Sequence, residues 1–208
     1  MTNHRMLNPG IRTSVLPLVV FAFALISMLS SSGCSLLMPK AEDFRPPLLS
    51  PAAAGFKAQV TQQVSQADDA SRAMIASWSV DQEQMVLVGL AATGQELMRA
   101  IYDGEQLQTR VSPLVPAQID VQAILSQIQL AYWPLAAIQQ QLQGSGWSLQ
   151  AVTGERRLYY DSHLVYRLIG AAGAADSTVA DQAGAELVIE IPDLGQQVRI
   201  TTLNMEML

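Results

Sequence analysis

The sequence predicts an α+β domain built from antiparallel strands on either side of one helical segment. Three observations carry this. Apolar and polar residues alternate with period two in stretches before and after the middle of the chain, whereas between Val121 and Leu142 the apolar spacing changes to threes and fours. No internal repeat is present, and strands do not alternate with helices as they would in a parallel sheet. With 208 residues, 50% hydrophobic and 14% charged, the chain is too apolar for a disordered protein.

The first 33 residues read as an export signal. Residues 1–12 carry His4, Arg5 and Arg12 without an acid, and Val15 to Leu29 follows without a charge. That run is shorter than the ~20 residues a spanning helix needs, and Pro17 weakens it further. Small residues Ser30 to Gly33 lead to Cys34, the only cysteine, in an arrangement that resembles a bacterial lipobox. The resemblance implies cleavage before Cys34 and acylation of its thiol, and Ser35 implies the outer membrane rather than the inner one. Several acyl chains make a lasting anchor, since each buried CH₂ contributes about 0.8 kcal/mol.

Residues 34–55 contain Pro39, Pro46, Pro47 and Pro51 without apolar periodicity, and are expected to form a semi-rigid tether. The domain is expected to span residues 56–208, an ordinary size. Phe56 to Val64 and Met74 to Val80 alternate as strands with one wet face. Met85 to Val88 is apolar throughout and reads as a central strand. Leu97 to Tyr102 turns at Asp103-Gly104 into Gln106 to Val111, which completes a meander.

Val121, Ile124, Leu125, Ile128, Tyr132, Leu135, Ile138 and Leu142 then form a helical stripe, with Gln122, Ser126, Gln129, Gln139 and Gln143 on other faces. Asp120 is the expected N-cap and Gly144 the expected stop. Pro134 cannot donate a backbone hydrogen bond and drives Trp133 out of the α region, so two helices are expected. Strands return at Trp147 to Val152, Arg157 to Tyr160, Leu164 to Ile169, Ala185 to Ile191 and Gln197 to Leu203. Ile191 to Gly195 makes the last hairpin turn, and Gly170 to Gly184, rich in Ala and Gly, reads as a mobile loop.

Arg5 and Arg12 are the only Lys or Arg before Cys34, so the exported part is more acidic than the net charge of −6. This excludes a nucleic-acid partner, which needs a basic face, and gives no charge-driven adsorption to anionic lipid. One cysteine excludes an internal disulfide and a cysteine metal cluster. His163 is the only histidine after the signal, so neither a metal site nor a catalytic constellation is expected. A hydrolase built on His163 lacks a Gly-x-Ser-x-Gly elbow. Asp68-Asp69, Asp81 with Glu83, and Arg156-Arg157 read as solvated charge. An antiparallel sheet curved around a charge-free helical layer can instead enclose an apolar cavity suited to acyl chains. Trp78, Leu87, Leu125, Ile128, Trp133, Leu135 and Ile138 are the expected lining.

Leu87-Val88-Gly89-Leu90, Gly94-Gln95, Tyr102-Asp103-Gly104, Ser112-Pro113-Leu114-Val115-Pro116 and Gln129-Leu130-Ala131-Tyr132-Trp133-Pro134 resemble a bacterial lipoprotein family known as a domain of unknown function, DUF3261. The order of elements is also similar to that of the LolA and LolB lipoprotein carriers. The second resemblance implies an unclosed β-barrel lidded by helices and a cavity that receives acyl chains of a lipid or lipoprotein. It also implies a place on the inner leaflet of the outer membrane facing the periplasm, and a LolA-like carrier as partner. The receptor's Leu-Gly-Trp-x-Leu-Pro becomes Leu130-Ala131-Tyr132-Trp133-Pro134, and its protruding Pro-Leu-Gly becomes Ala92-Thr93-Gly94, so Leu90 and Thr93 stand on the expected membrane-facing loop. The function expected is binding and transfer by a monomer, without catalysis or cofactor. The alternative is a structural or interaction lipoprotein with a filled core that docks to an envelope complex.

Overall fold

The first and last strands of the protein pair with each other at the centre of a single sheet. The computed structural model describes residues 45–67, 69–116, 119–171 and 184–208. Strands β1 (Ala58–Gln66), β2 (Asp69–Val80), β3 (Met85–Leu90), β4 (Glu96–Tyr102) and β5 (Leu107–Val111) form one antiparallel arm. Helices α1 (Val121–Tyr132) and α2 (Leu135–Gln141) follow. The second arm comprises β6 (Trp147–Val152), β7 (Glu155–Tyr160), β8 (His163–Ile169), β9 (Glu186–Ile191) and β10 (Gln196–Met207). The order across the ten strands is β5-β4-β3-β2-β1-β10-β9-β8-β7-β6. Among the described residues no pairing joins β5 to β6, so the antiparallel barrel is unclosed and the helical segment carries the chain from one edge to the other.

Alternation sets the inner face. The register Val60↔Trp78↔Leu87↔Ala100 places four buried side chains in one row across β1 to β4. Register shifts after Thr61, Val64, Gly89 and Leu158 each insert a local bend, which is how a sheet curls without closing. Leu125, Ile128, Ala131 and Tyr132 of α1 pack on that face, and Trp78 lies 5.0 Å from Tyr132 and 6.5 Å from Trp133 between ring centres. Phe56 meets Trp133 edge-on at 5.8 Å. The rings interlock and leave the centre of the inner face filled.

The helix boundaries follow from single residues. Asp120 Oδ1 accepts from the backbone N–H of Gln122 at 3.0 Å and Ala123 at 3.3 Å. Trp133 adopts φ −67°, ψ 151°, the extended conformation that a following proline demands, and ends α1. Gln139 of α2 donates to the carbonyl of Leu149 at 3.0 Å, which ties the second helix to edge strand β6.

Four expectations change. Gln129 is fully buried and Ser126 nearly so, although both lie off the apolar stripe of the helix. Gln129 faces the segment from Arg45 to Gly55, the end of the expected tether, which is packed and not extended away. Leu49 is 2% exposed, Pro46 is buried, and Pro51–Ala54 forms a 3-10 turn with Ala54 in the core. Arg156, read as solvated, is 2% exposed and donates from Nη1 to the carbonyls of Leu130 at 2.7 Å and Trp133 at 2.8 Å. A cation at the end of α1 complements the unpaired carbonyls and the helix dipole there. Burial lowers its pKa to about 10. Its neighbour Arg157 does lie on the outer face, paired with Glu155, which also takes Arg167 at 2.8 Å.

The export signal, Cys34, Asp68 and most of the Gly170 to Gly184 stretch lie outside the described residues. Among the described residues no helix is long and apolar enough to cross a membrane.

Candidate functional site

Where the two arms fail to meet, α1 bridges them with its N-terminal half and leaves a cavity of about 770 Å³. One wall is edge strand β5, through Leu107, Thr109 and Val111. The opposite wall is Val165 and Tyr166 of β8 with Ile191, Leu194 and Val198 around the β9–β10 hairpin. Val121, Ile124 and Gln127 form the helical side, and Arg45 stands at the rim. The helix therefore serves two surfaces. Leu125 and Ile128 enter the core, whereas Ile124 and Gln127, on the neighbouring stripe, face the cavity.

The hairpin turn that supplies Leu194 is a 3-10 turn over Pro192–Leu194, closed by Gly195 at φ 59°. Glycine adopts that left-handed conformation without strain. Pro192 starts the turn with its fixed φ, so Leu194 is held outward at the cavity mouth.

Polar side chains stand at the rim and are interspersed on the walls, among them Thr109, Gln122, Gln127 and Gln196. Arg45 Nε pairs with Asp120 Oδ2 at 2.8 Å, and His163 Nε2 lies 2.8 Å from Asp193 Oδ2. Tyr166 is 6% exposed, and burial pushes its hydroxyl pKa up while a hydrogen bond with Gln127 opposes the shift. A lining in which aliphatic side chains outnumber polar ones can hold a hydrocarbon chain and orient a polar head at the rim. Among the described residues no group of three or more His, Cys, Asp or Glu is placed to hold a metal ion.

The lining expected from the sequence comes together, but in the core. Trp78, Leu87, Leu125, Trp133 and Ile138 are 0–1% exposed, Ile128 is 5% exposed, and Leu135 is partly buried beside them. None of the seven lines the cavity between β5 and α1. The reason is steric, since the rings of Trp78, Tyr132 and Trp133 occupy the space between helix and sheet. Leu90 is half-buried at the end of β3, and Thr93 is exposed in the turn that follows, where Gly94 donates to the carbonyl of Ala91 at 2.8 Å.

Sequence reasoning missed Val165, Tyr166, Leu194 and Arg45 as lining. One signal was available. Leu114 and Leu194 are large apolar residues inside proline-containing turns, where polar residues dominate.

Comparison with curated proteins finds no match. Among solved structures, the crystal structure of LolA superfamily protein NE2245 from Nitrosomonas europaea is similar at 11% identity, over 81% of this chain and 90% of that one, with a TM-score of 0.34. The MucA/MucB complex of Pseudomonas aeruginosa is similar at 13% identity, over 76% of this chain, with a TM-score of 0.32. Only 54% of that second chain is covered, so the present chain spans about half of its length. The family model described as "Protein of unknown function (DUF3261)" matches residues 59–204, from the second residue of β1 to within three residues of the end of β10, with both helices. The chain belongs to the DUF3261 family.

Proposed function

We propose that this protein binds acyl chains of a lipid or lipoprotein in the cavity between β5, α1 and the β8–β10 arm, and assists their transfer to the outer membrane. Acylated Cys34 anchors it on the inner leaflet, facing the periplasm, and a LolA-like carrier is the expected donor. The observation that carries this is the cavity itself. Its volume of about 770 Å³ lies within the roughly 300–1,000 Å³ of small-molecule sites, and its walls are mostly aliphatic. Transfer needs no bond chemistry, because each CH₂ moved from a shallower to a deeper apolar site gains up to about 0.8 kcal/mol. His163, hydrogen-bonded to Asp193 on the rim, has no catalytic part in this reading.

The interlocked rings of Trp78, Tyr132 and Trp133 favour a second reading, an interaction lipoprotein whose core is filled. Titration of the anchor-free chain, residues 35–208, with an apolar fluorescent probe and displacement by palmitate separates the two. Saturable binding that Ile124→Arg removes supports the cavity reading. A wild-type chain that binds neither compound supports the interaction module.

A further inference from the structure

Exposed apolar side chains concentrate around the cavity mouth. Val111 (43% exposed), Ile119 (42%) and Leu194 (51%) line the cavity, and Leu114 (68%) projects from the loop between Val111 and Ile119. These are four of the eight most exposed large hydrophobics among the described residues. A soluble surface seldom gathers such residues around one opening without an apolar partner.

The chain itself indicates which partner. Arg45, where the described structure begins, lies on the same rim and is fixed there by Asp120 at 2.8 Å. Ten residues separate it from Cys34, a reach of at most about 40 Å over the eleven steps of backbone. An acylated Cys34 therefore keeps the mouth within one short tether of the bilayer. The two acids on the rim also have basic partners. Asp120 is ion-paired with Arg45, and Asp193 is hydrogen-bonded to His163, so the approach to lipid headgroups does not desolvate an isolated carboxylate.

We infer that the β5–α1 loop around Leu114 and the β9–β10 turn around Leu194 seat the cavity mouth on the lipid leaflet, so that cargo passes between cavity and bilayer without crossing water. This rests on the acyl-binding function proposed above. It moves the membrane-facing surface away from the β3–β4 turn, where Ala92, Thr93 and Gly94 offer no large apolar side chain.

The test uses the full, acylated protein in vesicles of phosphatidylcholine and phosphatidylethanolamine. Because Cys34 is blocked by lipid, Leu114→Cys and Thr93→Cys each provide a single thiol for an environment-sensitive fluorophore. The expected result is a blue-shifted label at position 114 that nitroxide-labelled lipids quench and salt does not release, with a label at 93 that stays in water. An unquenched label at 114, or quenching at 93 alone, overturns the inference, whichever protein then covers the rim. Leu114→Asp, outside the cavity lining, is expected to slow delivery of bound cargo to vesicles about tenfold, in line with one large side chain leaving the apolar phase. Unchanged delivery contradicts the proposal.

Probe binding to the anchor-free chain is measured alongside. Retained probe binding with no lipid contact defeats this inference alone, whereas loss of probe binding in the wild type defeats the acyl-binding function.

Discussion

The side-chain amide of Gln129 closes both backbone groups of Leu49, accepting from its N–H and donating to its carbonyl at 2.8 Å each across 80 residues of sequence. An amide in this position works like one rung of a sheet. It pairs both backbone groups of the buried Leu49 where the segment before β1 lies on the helices. Ser50 extends the docking, its N–H donating to Gln141 at 3.1 Å and its carbonyl accepting from the Trp133 indole at 3.3 Å.

Gln129→Leu keeps the volume but strands the N–H and carbonyl of Leu49 in the core. The expected loss is about 2–4 kcal/mol, at roughly 1–3 kcal/mol for each unsatisfied buried group. Urea unfolding measures it, and a loss under about 0.5 kcal/mol would show that the segment is not held by this amide.

Two isoleucines one turn apart on α1 should behave oppositely. Ile128, 5% exposed, faces the core, so Ile128→Gln should destabilise by about 2–4 kcal/mol through lost packing and a buried amide. Ile124 faces the cavity. Ile124→Arg should cost about 1 kcal/mol or less, because the long side chain can reach water, and should abolish binding of an apolar probe. Equal effects of the two changes on stability and on binding would contradict the division of the helix into two faces.

Trp78 donates from Nε1 to Gln62 Oε1 at 3.0 Å, and Gln62 donates in turn to Tyr132 Oη and, at 3.3 Å, to Thr202. Trp78→Phe removes the first donor and part of the ring contact, for an expected loss of about 2–3 kcal/mol. Gln62→Leu should cost at least as much, since it leaves the indole N–H without its acceptor. Thermal or urea denaturation of the two variants and the double mutant measures their coupling, and strict additivity would argue against one network.

Glu155 sits under two guanidiniums, and the hydrogen bond from Arg167, then that from Arg157, holds its carboxyl below the ordinary glutamate range. A carboxyl with a lowered folded-state pKa contributes stability that is complete above the unfolded value and lost as pH falls through the folded one. The wild type should therefore lose part of its stability below about pH 4.5, and Glu155→Gln should flatten that dependence. Identical urea midpoints against pH for both proteins would rule this ion cluster out as an acid-sensitive element.

Local signals carried much of the fold. The alternation of β1 and the Pro134 break between α1 and α2 are both legible, since each depends on neighbouring residues alone. The extension of β10 to Met207 was not, because it exists through pairing with Ala58 at the other end of the chain. The inward turn of Gln129 and Arg156 was hidden for a related reason. A polar side chain reads as wet until its distant partner is known, here the backbone of Leu49 and the end of α1. The cavity depends on β5 and β8 facing each other across an unclosed sheet, a relation set by strand order and by no local pattern. Apolar residues of core and pocket look alike in sequence, and only packing shows that the aromatic stripe of Trp78, Tyr132 and Trp133 fills the core.

The most direct measurement is native mass spectrometry, with lipid extraction, of residues 35–208 purified gently from the periplasm. One acyl-bearing molecule is expected to be retained per wild-type chain and lost from the Ile124→Arg protein. A wild-type chain recovered empty that also fails to take up an added apolar probe would contradict the proposed function.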